Sequence, residues 1–265
     1  MNIFLKELKS HRKSLIFWCI GVFLMVVSGM QKYSAFKSSG QSINDMIGSM
    51  PKSLRAILGF GAMDLSKISG YYAMLFLYLL LMATIHAVML GATIIAKEER
   101  DKTSEFLFVK PVSRRTIITA KLSAAFVNIV IFNLVTYGSL VSIMGKYSNG
   151  EDVNGDIAIT MLAMFILQVL FMVTGSAIAS IKKRPKTAAS ISAGVLMLTY
   201  LLSMAIDLND DIEGLKYLTP FKYFEAKNIM FGGGLEISFV IISVILIAAL
   251  SAITFVFYEK RDLNV

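Results

Sequence analysis

A chain of 265 residues with a mean hydropathy of +0.68, 56% apolar residues and only 17% charged ones is too apolar for an ordinary soluble domain, where those two shares are about 45–50% and about 25%. A single cysteine, Cys19, and two distant histidines, His11 and His86, exclude a disulfide framework and an imidazole metal site. The net charge of +8 would suit nucleic acid, but its distribution along the chain explains it without any.

Six runs contain no Asp, Glu, Lys or Arg: residues 14–31, 71–96, 122–145, 157–181, 187–206 and 237–258. Each is long enough to cross about 30 Å of hydrocarbon as a helix, which takes roughly 20 residues. They lack the short period-two alternation of barrel strands, so helices are the expected solution to an environment without hydrogen-bond partners. The reading is an all-α membrane protein, one transmembrane domain over 1–265 with six spans. If the N-terminus is cytoplasmic, the inner segments 1–13, 97–121, 182–186 and 259–265 hold 17 of the 26 Lys and Arg residues and a net charge of +10, against −2 outside. The positive-inside rule selects that orientation, with both termini in the cytoplasm of a multi-pass protein of the cell membrane.

Taken in order, residues 1–13 put Met1, Phe4, Leu5 and Leu8 on one side and Lys6, Lys9 and Lys13 mostly on the other. This predicts an amphipathic helix at the inner interface, its cations near anionic lipid headgroups. The first span follows directly. It is longer than a signal-peptide core and lacks a nearby small-x-small cleavage site, so it is expected to be retained. Residues 32–70 carry Ile43, Met46, Ile47, Met50, Leu54, Ile57 and Leu58 at helical spacing, interrupted at Pro51, Gly59 and Gly61, which predicts short external helices.

The second span contains His86 near its middle. An ionisable group at membrane depth is a functional candidate by default. Here the alternatives are a neutral histidine bonded across a helix interface and a group on a translocation path.

Charge density rises abruptly after the second span, over residues 97–115. Lys110 precedes Pro111 and is pushed away from helical angles, and Ser113 is placed to cap the third span. Helix, sharp proline turn and capped helix make a compact elbow, with Leu107, Phe108 and Val109 as an apolar side. Loops of this kind also serve simply as topological anchors. The pattern Glu98, Glu99, Thr103, Glu105, Leu107, then Pro111-Val112-Ser113-Arg114 and Lys121 resembles the signature of ABC-2 type transporter permeases, the membrane-spanning subunits of bacterial ABC exporters. The ending from Phe257 to Leu263, the amphipathic start, and Leu218-Thr219-Pro220-Phe221 before the last span are similar to other segments of that family.

The resemblance implies a coupling helix in this loop that docks into a separate ATPase dimer. On that basis Glu98, Glu99, Arg100, Thr103, Glu105, Leu107, Phe108, Lys110, Pro111, Val112, Ser113 and Arg114 are the coupling candidates. The chain has no Gly-x-x-x-x-Gly-Lys-[Ser/Thr] phosphate cradle, so no cofactor is expected in it and no enzymatic activity; ATP and Mg²⁺ would be bound by the partner. Further implied partners are a second permease copy or a homologous permease, membrane lipids and an amphipathic substrate.

In the remaining spans, Asn128, Asn133 and Gln168 read first as interhelical hydrogen bonds and second as lining of a translocation path. Gly175 with Ala179, and Ser190 with Gly194, are small-xxx-small pairs that let helix backbones approach. Residues 146–156 form a polar turn, and 207–236 an aromatic-rich external segment with Pro220 and three consecutive glycines from Gly232. No carboxylate lies within a span and no catalytic motif is present, which argues against a proton-coupled carrier and a membrane enzyme. The functional expectation is an export permease, with amphipathic or antimicrobial peptides as the favoured cargo and drugs, lipids or ions as other classes. An ATP-independent carrier or channel is the competing reading.

Overall fold

Chain that enters hydrocarbon has to satisfy its own backbone, and each charge-free run does so as a helix. The computed structural model describes residues 3–39, 41–60, 63–100, 112–148, 151, 153–182 and 185–260. In chain order these form α1 (Ile3–Ser39), α2 (Gln41–Gly48), α3 (Lys52–Ile57), α4 (Ile68–Arg100), α5 (Arg114–Met144), α6 (Asn154–Ile181) and α7 (Pro185–Leu208). Two 3-10 turns (Asp210–Leu218 and Pro220–Lys222) follow, then α8 (Ala226–Phe231) and α9 (Ile237–Lys260). Six of these helices, α1, α4, α5, α6, α7 and α9, are long and apolar enough to span a membrane, and no strand occurs among the described residues.

All six span helices are longer than their charge-free runs, and α1, α4 and α5 exceed them the most. Helix α1 has 37 residues, α4 has 33 and α5 has 31, so at about 1.5 Å per residue each outreaches the hydrocarbon. Residues 3–13, expected to lie along an interface, form the first turns of α1 without a break. No proline or glycine stands between Ile3 and Ile20 to interrupt them.

Ion pairs described below gather the start of α1, the end of α4, the start of α5 and the end of α9 at one end of the bundle, here termed the basic end. Helices α2, α3 and α8 and the 3-10 turns cover the opposite, capped end. Helices α4 and α6 are the most buried spans and share the most extensive contact, whereas α1 and α9 are the least buried. The α4–α6 crossing is close enough to touch backbone to backbone. A Cβ on Gly91 would lie 2.0 Å from the Met172 carbonyl oxygen, and one on Gly175 would lie 2.2 Å from that of Val88. Ser176 sits in the same crossing and donates to the carbonyls of Met172 at 2.9 Å and Gly91 at 3.2 Å. Of the two small-residue pairs noted in the sequence, Gly175 makes such an approach, while Gly194 is exposed and faces open space.

The capped end is held by local polar knots. Asp64 accepts from Asn44 Nδ2 at 2.6 Å, from Ser66 N at 3.0 Å and from Ser66 Oγ at 2.5 Å, joining α2 to the turn before α4. The Ser66 hydroxyl, and after it Asn44, hold this carboxyl below the usual carboxylate range. Thr219 is buried and donates to the Thr199 carbonyl at 2.7 Å, Pro220 opens a 3-10 turn, and Phe221 packs on Phe171 and Tyr200. The Leu-Thr-Pro-Phe segment therefore anchors this turn to α6 and α7.

Candidate functional site

Polar atoms inside a bundle must find partners, and at the basic end they find one another. Helix α4 delivers Lys97 and Glu98 on its last turn, α5 delivers Lys121 two turns after its start, and α1 delivers Glu7. Lys121 is fully buried. Its ammonium donates to the Ile94 carbonyl at 2.6 Å and to both Glu98 oxygens at 2.7 Å, with Glu7 Oε1 at 3.7 Å. Lys97 Nζ reaches Glu7 Oε2 at 3.3 Å and Ser10 Oγ at 2.7 Å, and His11 Nε2 lies 3.8 Å from Glu7 Oε2. Two ammonium and two carboxylate groups thus form a charge-balanced tetrad that ties three spans together. Balance matters because an uncompensated charge in such a place costs several kcal/mol, on the order of 3–5 when one partner is removed.

The start of α5, which follows residues 101–111, is fastened as well. Ser113 is the N-cap of α5, extended in backbone and accepting from Thr116 N at 3.2 Å. Val112 packs half-buried against the core. Arg114 Nη1 donates to the Glu259 carbonyl at 2.8 Å, and Arg115 forms an ion pair with the Glu259 carboxylate, locking the start of α5 to the end of α9. Among the coupling candidates, Glu98, Val112, Ser113 and Arg114 are therefore held by the bundle, and Glu99 stands beside Glu98 at the end of α4. Arg100 is the last helical residue of α4. Thr103, Glu105, Leu107, Phe108, Lys110 and Pro111 lie outside the described residues.

Glu7 and Lys97 were not singled out by the sequence reading, and Lys121 entered only through the family pattern. A signal was available for Glu7, the one acid among the basic residues of 1–13.

Deeper in the membrane, the four path candidates separate into two places. His86 is buried between Trp18 of α1 and Phe132 of α5, stacked on the latter at 4.9 Å between ring centroids. Its Nδ1 is buried without a hydrogen-bond partner among the described residues. His86 and Asn128 line a cavity of about 230 Å³ between α1, α4 and α5, with Thr93 and Ser14 nearer the tetrad. The Asn128 amide donates to its own helix, at the Ala124 carbonyl 2.7 Å away, rather than across an interface. Asn133 does cross: its Nδ2 donates to Gln168 Oε1 at 3.1 Å and to the Met161 carbonyl at 3.3 Å. Gln168 is fully buried, and its own Nε2 has no partner among the described residues. Among the described residues no cluster of His, Cys, Asp and Glu suited to a metal ion is present.

No curated protein matches the chain. The profile of the ABC-2 family transporter proteins, however, matches residues 1–263, nearly the full length and all six spans. Members of this family are transport components that work with an ABC ATPase subunit and are not themselves catalytic. Six apolar helices packed into one bundle and a family profile that runs through every one of them agree: the chain belongs to the ABC-2 family of transporter proteins and is the membrane permease of an ABC transporter.

Proposed function

We propose that this permease belongs to an exporter driven by a separate ATPase dimer, which docks at the basic end, and that this end faces the cytoplasm of the cell membrane with both termini. Two permease copies, identical or homologous, would enclose the pathway, with ATP and Mg²⁺ confined to the partner. The observation that carries the reading is the fastening of both ends of the 97–115 segment. One end is held by the Glu7, Lys97, Glu98 and Lys121 tetrad, the other by Arg114 and Arg115 on Glu259. A push on a segment held this way reaches α1, α4, α5 and α9 together, as a lever requires. Glu98 spends both carboxylate oxygens on Lys121, so in this scheme it positions the elbow, and the residues from Glu99 to Pro111 meet the ATPase. The favoured cargo is an amphipathic peptide, antimicrobial peptides included, because the 11 of 16 methionines that lie in the charge-free runs can repack around varied apolar shapes.

The test is capture of the cognate ATPase subunit by the purified permease, followed by ATP hydrolysis in proteoliposomes. Glu99→Lys with Glu105→Lys is expected to abolish capture while leaving the permease folded. Capture equal to wild type, or hydrolysis indifferent to the permease and to added amphipathic peptide, overturns the proposal.

A further inference from the structure

A cavity of about 400 Å³ opens at the capped end between α3, α4, α7 and the turn leading into α8. That volume falls within the range of about 300–1,000 Å³ typical of small-molecule sites. It has two zones. The floor is apolar and buried, formed by Phe76, Leu80 and Phe221. The rim is charged, and its charges are not equivalent. Asp207 and Glu225 are already occupied: Lys222 Nζ bridges them, at 2.5 Å from Asp207 Oδ1 and in an ion pair with Glu225, and Asn228 Nδ2 donates to Glu225 Oε2 at 3.1 Å. Lys52, Arg55 and Lys227 also line the rim, and none of them has an ion-pair partner among the described residues. Arg55 Nε is buried with no hydrogen-bond partner there, a state that folded proteins rarely leave uncorrected.

The wall that presents Arg55 is fixed in advance. Phe60 N donates to the Arg55 carbonyl at 2.8 Å, and Tyr78 of α4 donates to the Leu58 carbonyl at 2.8 Å. Gly59 between them has φ +69°, and a Cβ there would meet Leu77 Cδ2 at 2.8 Å. The backbone that carries Arg55 is thus fixed at the cavity by a turn that favours glycine.

We propose that this cavity binds an anionic amphiphile, with a phosphate group at Arg55, Lys52 and Lys227 and the first methylenes of its tail on Phe76, Leu80 and Phe221. A cation meets an excess of positive charge and carboxylates that are already paired. An anion meets an unpaired guanidinium, whose planar fork matches phosphate geometry. Free phosphate would leave the apolar floor uncovered, whereas a phospholipid satisfies both zones. The site lies at the opposite end from the tetrad and stands whether or not an ATPase drives the permease.

The experiment is native mass spectrometry of the full-length permease released from nanodiscs of phosphatidylglycerol or phosphatidylcholine with the same acyl chains. Wild type is expected to retain phosphatidylglycerol over phosphatidylcholine. Arg55→Gln and, independently, Lys227→Gln are expected to weaken that retention about tenfold, as the loss of one charge-assisted contact would, while the control Lys37→Gln at the end of α1 has no effect. Lys227 is exposed, so its substitution keeps the test valid should Arg55→Gln fold poorly. Equal retention of the two lipids, or wild-type retention in Lys227→Gln, overturns the proposal. Displacement by free glycerol phosphate at the concentration that displaces the lipid would also overturn it, because the tail would then add nothing.

Discussion

Replacing Lys121 with methionine keeps an unbranched apolar stem, one atom shorter, and removes the ammonium with its charge and donors. Glu98 then loses the partner of both its oxygens, the Ile94 carbonyl loses a donor, and Glu7 is left with Lys97 and His11. Because Lys121 is fully buried and the Glu7 side chain is only 3% exposed, solvent cannot replace what is lost there. Glu98, at 15% exposed, can turn partly towards water, so the lower figure for a broken buried pair applies, about 3 kcal/mol. At ~2–4 °C per kcal/mol for a chain of this size, the midpoint of unfolding should fall by about 6–12 °C. Arg115→Gln provides the contrast. It also breaks a carboxylate pair, but Arg115 is 79% exposed, and such pairs contribute only about 0.2–1 kcal/mol. The assay is thermal unfolding in detergent, followed by the single tryptophan, Trp18, which packs on His86 of α4, and in parallel by circular dichroism. Restoring charge balance with Glu98→Gln in the Lys121→Met background should recover part of the loss. If Lys121→Met shifts the midpoint no more than Arg115→Gln does, or if the double variant is additive, the tetrad is not the structural unit described here.

The α4–α6 crossing should reject even a methyl group: Gly91→Ala places a carbon against the Met172 carbonyl and is expected to cost at least about 1–3 kcal/mol. Gly194→Ala, in open space, should be silent in the same thermal assay and in size-exclusion profiles. Asp64 has its folded pKa lowered by the Ser66 and Asn44 hydrogen bonds, so its stabilising contribution is complete above the unfolded value near 3.8 and is lost as pH falls through the folded one. Asp64→Asn should therefore lower the midpoint at pH 7, with the gap to wild type closing as the buffer is acidified below about pH 4. His86→Phe keeps a ring between Trp18 and Phe132 and should leave the midpoint within about 0.5 kcal/mol of wild type, whereas His86→Ala opens the α1–α4–α5 cavity and should destabilise by about 2–4 kcal/mol; equal effects would show that the ring contacts do not matter.

Six spans were legible because lipid leaves one backbone solution for a long uncharged run. The cap at Ser113 was legible because the preceding Pro111 limits where α5 can begin. What the runs understate is helix length. Lys97, Glu98 and Lys121 mark the ends of charge-free stretches, yet all three lie within helices, since each charge is neutralised by another rather than left to water. Periodicity cannot reveal that pairing, because Glu7 and Lys121 are far apart in sequence and meet only when α1 and α5 pack. Small-residue patterns were half informative for the same reason. Gly175 faces a partner helix and Gly194 does not, and the pattern is identical in both. The rim of the capped-end cavity was invisible in sequence, since Arg55, Asp207 and Lys227 converge from three separate elements.

The placement of the polar contacts has a consequence for α1. In lipid an apolar face is no better satisfied by a neighbouring helix than by acyl chains, so a peripheral helix is not fastened by hydrophobic burial alone. Helix α1 exposes Ile16, Phe17, Ile20, Phe23 and Leu24 along its middle. Its directional ties lie towards its two ends: Glu7 with Lys97 and Lys121 at the basic end, and at the other Tyr71 donating to the Gly29 carbonyl at 2.6 Å and Tyr33 donating to the Ser66 carbonyl at 3.1 Å. A helix whose directional ties lie near its two ends passes a displacement of its basic end along its length to the capped end. Severing only the Glu7 tie, with Glu7→Gln, should therefore free the first turns of α1 to exchange amide hydrogens faster while the protection of α4 and α6 is unchanged. Uniform loss of protection across all three helices would mean that α1 is packed into the core and not strung between its ends.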